Sequence, residues 1–248
     1  MRPGVLKRAL VVVGCGVLTV TLSACESTED ESAKIGRAAG KLEAGPVALK
    51  LGAANRSVRV SDATLLSSSG RMAVAVKLSS SSSRPQLNVP LLVSVTGAGG
   101  KLLYSNESGG LEASLQRIAL LRPHESEWWV DDQVLSSQST TGVKVRVGTG
   151  KSPRSRAPLP RLQTRGARLV RQSGSSVLSG ELVNRSDRAQ DKVPVFAVAV
   201  KGGKVLAAGR AVVGTLPGHA GASAPFQIFL IGNPAGAKIE LTTVPTVV

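Results

Sequence analysis

The chain has 248 residues, with 31 basic and 16 acidic side chains and a formal net charge of +15. That length holds one or two domains, and an aromatic content of 2% counts against an aromatic-lined sugar or drug pocket. Two cysteines cannot make a disulfide framework, so each folded unit must rest on its apolar core.

The chain opens with Arg2, Lys7 and Arg8, followed by an apolar run over residues 9–22. A basic start, an apolar run and small residues are the ordered parts of a secretory signal. The run is shorter than the roughly 20 residues a spanning helix needs. Leu22, Ser23, Ala24 and Cys25 follow it in the order leucine, small, small, cysteine. This start resembles the lipobox signal of bacterial lipoproteins. The resemblance implies export, cleavage before Cys25, loss of residues 1–24 and acylation of the Cys25 sulfur with diacylglycerol, palmitate among its acyl chains. The protein would then be lipid-anchored on the extracytoplasmic face of the cell membrane, its two acyl chains giving a stable foot. Cys15 is a poorer acceptor, because Val12-Val13-Gly14 precedes it and a cut there would shorten the apolar run too far. An ordinary secretory signal or an uncleaved anchor are the other readings of the segment.

Residues 25–46 are rich in Ser, Glu, Ala and Gly and carry Glu26, Glu29, Asp30, Glu31 and Glu43 against Lys34, Arg37 and Lys41. They read as a flexible acidic tether. From residue 47 the pattern changes to short apolar runs separated by turn residues. The runs are 58–60, 63–66, 72–78, 89–95, 101–104, 115–121, 128–134 and 143–147, with loops at 79–83, 97–100 and 106–110. Such spacing predicts an all-β sandwich over residues 47–150. Residues 151–162 are basic and contain Pro153, Pro158 and Pro160, which rule out helix and favour an extended linker. Residues 163–248 repeat the pattern as a second β-sandwich.

The repetition is visible in the residues. Ala63-Thr64-Leu65-Leu66 is echoed by Ala167-Arg168-Leu169-Val170, Val89-Pro90 by Val193-Pro194, Gly99-Gly100-Lys101 by Gly202-Gly203-Lys204, and Leu121-Arg122-Pro123-His124 by Leu216-Pro217-Gly218-His219. One β-module has been duplicated. Its second copy carries Gly180, Leu182, Asn184 and Ser186, the run 195–200, the turn Gly203-Lys204-Val205, Leu216-Pro217-Gly218 and Phe226. In that order the residues resemble the FxLYD-like group of immunoglobulin-like domains. It departs from the group at Val205-Leu206-Ala207, where aromatics are expected. The resemblance implies two tandem Ig-like antiparallel sandwiches after a cleaved signal and a flexible stalk, serving as binding or spacing modules without catalysis.

Residues 151–248 hold fourteen basic side chains and four acidic ones. Arg154, Arg156, Arg161 and Arg165 are the candidate anion-binding residues, since such a run attracts polyanions. For an exported protein the partners are anionic headgroups, an anionic envelope polymer or an acidic protein, and not nucleic acid. A solvated, codon-biased surface of a high-GC, actinobacterial composition is the plain alternative. Trp129 is a candidate partner contact. If Trp128 matches Phe226 in the core, strand alternation turns Trp129 outward beside Glu127 and Asp131; otherwise it packs under a loop or on the neighbouring module. The sequence assigns no catalytic residue, cofactor or metal. It has no G-x-S-x-G, H-E-x-x-H, EF-hand or phosphate-loop motif. The expected function is a lipid-anchored, non-enzymatic binding or scaffolding module at the cell envelope. The alternatives are a small-ligand carrier, with its site between sheets, and an envelope enzyme or metal-dependent protein using His124, Glu125 and Asp131 or Asp132.

Overall fold

The computed structural model describes residues 48–136, 138–153, 158–172 and 174–246. The signal, Cys25 with its flanking Leu22, Ser23 and Ala24, the tether, and Arg154 and Arg156 lie outside the described residues. The first module contains β1 (Val58–Ser68), β2 (Arg71–Ser80), β3 (Gln86–Gly97), β4 (Leu102–Ser105), β5 (Arg117–Leu121), β6 (Ser126–Val134) and β7 (Thr140–Val147). The second contains β8 (Leu162–Gln172), β9 (Ser175–Asn184), β10 (Val193–Lys201), β11 (Lys204–Val213), β12 (Ser223–Gly232) and β13 (Lys238–Thr243). All pairings between them are antiparallel. The fold is all-β and of sandwich type, as the spacing of the apolar runs predicts.

In the first module β1, β2 and β6 form one sheet. The other is centred on β3, which pairs with β5 along its first half and with β7 and β4 along its second. Val74, Val76 and Leu78 of β2 and Leu91, Val93 and Val95 of β3 fill the core between the sheets. The runs 58–60 and 63–66 merge into one strand, with a bulge between Val60 and Asp62. β2 extends to Ser80, so the serine loop expected from residue 79 begins as strand.

The second module repeats these pairings, but β11 also pairs with β12, so its strands form one continuous six-stranded sheet in the order β13-β10-β11-β12-β9-β8. β8, β9 and β12 pair as β1, β2 and β6 do, and β13, β10 and β11 take the places of β7, β3 and β4. Leu178, Leu182, Val195, Ala197, Phe226 and Ile228 form its core. β12 runs beside β9 from Ser223 to Leu230, then meets β11 at Ala207 and Ala208. The crossing needs Gly232. Its φ is 106°, and a Cβ there would run into the Leu206 carbonyl oxygen. The β1–β2 hairpin closes on Ser69-Gly70 with φ values of 50° and 74°, the paired positive angles of a tight hairpin turn.

The two modules also share a face. In β10 every residue from Val193 to Ala199 is buried. Val193, Val195, Ala197 and Ala199 point into the second module's core, while Phe196 and Val198 belong to the cluster that contains the first module's core. Ala73 and Ala75 of β2 and Trp128 and Val130 of β6 lie in that same cluster. A strand buried on both faces reads as a continuous apolar run, which is why the alternation is lost in residues 72–76 and 193–199. The outer face of β3, where the equivalent positions are Leu92, Ser94 and Thr96, is only half-buried. Polar side chains leave that face without a partner sheet among the described residues. Residues Gly45–Val248 form one compact unit.

Lys151 and Pro160, in the stretch between β7 and β8, are both bonded to the first module. Lys151 exchanges backbone hydrogen bonds with Leu87 at 2.6 and 2.7 Å, and the Arg122 guanidinium donates to the Pro160 carbonyl.

The expectation that Trp129 faces outward is corrected. Val76 pairs with Trp129 and Gly180 with Phe226, so Trp129, and not Trp128, is the counterpart of Phe226. Trp129 is fully buried, and its Nε1–H donates to the Ser114 carbonyl at 2.7 Å beneath the loop before β5. Trp128 points the other way, into the junction between modules.

Candidate functional site

The junction is built on β6, whose successive side chains go to opposite faces. Trp128 covers the second module's β13. Its Nε1–H donates to the Glu240 carboxylate at 2.8 Å, its backbone N–H donates to the Thr242 hydroxyl at 3.3 Å, and Lys77 Nζ lies 5.1 Å from its ring centre. The lysine also reaches Glu240 at 3.9 Å. The cation and the carboxylate thus clasp the indole at its face and its edge.

Arg210 of β11 is the strongest polar link across the junction. Its side chain is 5% exposed. Nη1 donates to Glu112 Oε2 at 3.0 Å and to Ser114 Oγ at 2.6 Å, and Nε donates to Asp132 Oδ1 at 3.3 Å. One guanidinium therefore holds the loop before β5 and the end of β6 against the second module. Asn106 secures the other side of that loop. Its side-chain N–H groups donate to the carbonyls of Leu91 and Leu115, and its Oδ1 accepts from the Val93 N–H at 2.8 Å. Gln116 donates to the Asn106 and Ser108 carbonyls. A buried network with every member satisfied rigidifies its surroundings.

This fixed loop forms one wall of a cleft of about 740 Å³ between the modules. Its lining is predominantly apolar, with Leu111 and Ile118 from the first module and Pro194, Phe196 and Val244 from the second. Asn88 and Lys192 stand at matching points of the two repeats on its rim, and both hold left-handed backbone, with φ of 51° and 50°. Such angles are uncommon for side chains other than glycine and concentrate at ligand clamps. The volume is that of a small-molecule site.

Three titratable groups of this region are perturbed. Burial raises the Asp131 carboxyl above the usual range, and the neighbouring Asp132 adds to the rise; hydrogen bonds from the Tyr104 hydroxyl, at 2.6 Å, and from the Gln133 N–H oppose it. Tyr104 is raised as well, by burial and then by the Asp131 carboxylate. Glu127 is pushed up to about 7, mainly by burial and secondly by Glu125, while Arg122 and Thr242 pull it down.

The set His124, Glu125 and Asp131 or Asp132 is not brought together. His124 and Glu125 are exposed in the turn before β6, where His124 has a φ of 55°. Six residues of extended strand separate Glu125 from Asp131, roughly 20 Å, and Asp131 and Asp132 are engaged by Tyr104 and Arg210. Among the described residues no group of three or more His, Cys, Asp and Glu is placed to hold a metal. Of the candidate anion-binding residues, Arg161 is exposed and Arg165 is paired with Glu181. Arg210 was not singled out by sequence. Its signal is one charge inside the apolar run 205–213, and its partners lie 78 and 98 positions away.

No family model matches the chain, and no curated protein matches it. A likeness to the solved structure of red sea bream transglutaminase has 12% identity and a TM-score of 0.19; it covers 89% of this chain and 34% of that one. So low a score bears on neither fold nor activity.

Proposed function

We propose that this is an exported, lipid-tethered, non-catalytic protein of the extracytoplasmic face of the cell membrane that binds a small apolar or amphiphilic molecule between its modules. The observation that carries this reading is the cleft of about 740 Å³ whose apolar walls come from both modules. Three of its polar neighbours are already committed: Glu112 and Ser114 to Arg210, and Gln116 to backbone carbonyls. That favours a rigid receptor over a reaction centre. The lipobox residues Leu22, Ser23, Ala24 and Cys25 support the tether.

Dodecanoate is a suitable probe. Trp129 reports on the cleft, because its Nε1–H rests on Ser114, which lines it. Titration should change the tryptophan emission and raise the melting temperature, whereas butyrate should do neither. Ala113→Phe, at the exposed lip of the cleft, should weaken binding at least tenfold. No response to dodecanoate, or an unchanged affinity in Ala113→Phe, would overturn the reading.

A second reading is favoured by the density of arginine between residues 151 and 171. In it Arg154, Arg156, Arg161 and Arg165 bind an anionic envelope polymer. Co-sedimentation with wall fragments should then fall steeply with salt, and sedimentation independent of salt would reject it.

A further inference from the structure

The tips of two hairpins, one from each module, face a second cleft of about 260 Å³. The β1–β2 tip brings Ser68, Ser69 and Arg71, and the β8–β9 tip brings Arg171, Ser175 and Ser176. The cleft shares no lining residue with the larger one. Its exposed lining is mostly polar, and no carboxylate is found among the described residues that line it.

The two arginines differ from others in the structure. Arg165 and Arg210 are each met by carboxylates. Arg71 and Arg171 have no carboxylate in ion-pair range among the described residues. Both place positive charge on one cleft, which an anion would neutralise. Each guanidinium offers a planar fork of donors matched to a tetrahedral oxyanion. The serine hydroxyls add neutral donors that rotate to suit the ligand. The hairpins are held by tight registers, Ser68 with Arg71 and Arg171 with Ser176, so the forks are carried on strand ends and not on long loops.

We propose that this cleft binds a phosphate group, carried either by a soluble phosphomonoester or by a phospholipid headgroup. The proposal is independent of the ligand in the larger cleft and of the Cys25 tether.

The unit Gly45–Val248, which has its own closed cores, is the protein to test. Glycerol 3-phosphate is titrated by thermal shift, and vesicles of phosphatidylglycerol and of phosphatidylcholine are compared by flotation. Arg71→Ala and Arg171→Ala are exposed positions whose truncation leaves the cores intact; Arg59→Ala, also exposed but outside the cleft, is the control. Each cleft variant should raise the half-saturating concentration at least tenfold, and Arg59→Ala should leave it unchanged. A response to glycerol 3-phosphate without phosphatidylglycerol flotation assigns a soluble phosphate. Flotation without that response assigns a headgroup, and both together assign a site open to either. The proposal is overturned if neither probe binds, if the double variant binds like the parent chain, or if Arg59→Ala weakens binding as much as the cleft variants do.

Discussion

Trp129 and Phe226 occupy the same place in the two modules. Each lies on the strand that pairs with the second strand of its module's first hairpin, each fills the core of its own module, and the residue paired with it differs: Val76 faces Trp129 and Gly180 faces Phe226. Trp129 is fully buried and Phe226 is 3% exposed. The two modules thus share a backbone register while the volumes around the central aromatic differ. A core tolerates such exchanges when its total volume is held.

Gly180 is what that difference requires. A Cβ at this position would lie 2.8 Å from Phe226 Cζ and 3.2 Å from the Ala167 Cα. Gly180→Ala therefore forces the ring or the β8 backbone to shift, a cost of about 1–3 kcal/mol. Chemical denaturation should give a lower midpoint with an unchanged slope. Adding Phe226→Leu should recover part of the loss, because the ring that the methyl meets is gone. A double variant that simply sums the two single losses would show that the contact is not the cause.

The spacing of the apolar runs made the strands legible, and the echoes of Ala63, Val89 and Leu121 pointed to the matching strand pairings of the two modules. The stacking of the modules was written in the same residues. Ala73, Val74, Ala75 and Val76, like the run from Val193 to Ala199, are apolar at consecutive positions, which a sheet with one wet face does not need. Orientation was harder. A shift of one position sends every side chain to the other face, and matching Phe226 to Trp128 instead of Trp129 inverted both tryptophans. The clefts were not legible, since each draws its walls from both modules.

Arg210 should be the single most sensitive polar position in the junction. Replacing it with Met removes donors from Glu112, Ser114 and Asp132 together and leaves the two carboxylates, 32% and 15% exposed, without their cation. Breaking a buried pair from one side costs about 3–5 kcal/mol; the partial exposure of Glu112 places this case near 3 kcal/mol. Arg210→Met should lower the melting temperature. It should also speed amide exchange in the loop before β5, which the guanidinium holds. Replacing Glu112 with Gln and Asp132 with Asn in the same chain should recover much of the loss. If Arg210→Met melts with the parent chain, the network does not clamp the modules.

The tether has a direct test. If Cys25 carries the acyl chains, radiolabelled palmitate should enter the wild-type protein and fractionate with membranes, and Cys25→Ala should abolish both. Cys15→Ala should leave labelling intact, because the Val12-Val13-Gly14 sequence before it departs from the leucine, small, small pattern. Equal labelling of wild type and Cys25→Ala would sink the reading of residues 1–25.

Glu127 ties stability to pH. Burial, reinforced by Glu125, pushes its carboxyl up to about 7, whereas in the unfolded chain it titrates near 4.3. Between those values the folded protein holds a proton that the unfolded chain has released. Stability is therefore greatest below the unfolded value and is lost as pH rises through about 7. Asp131 is displaced in the same direction and contributes its own slope, so the variant and not the absolute curve isolates Glu127. In Glu127→Gln the site is neutral at every pH. Its melting temperature should exceed that of the parent chain at pH 8, and the difference should shrink as pH falls toward 5. The neighbouring charges, Glu125 and Arg122, remain in both proteins and cancel in the comparison. A difference that stays constant from pH 5 to pH 8 would mean that Glu127 ionises in the fold as it does in water.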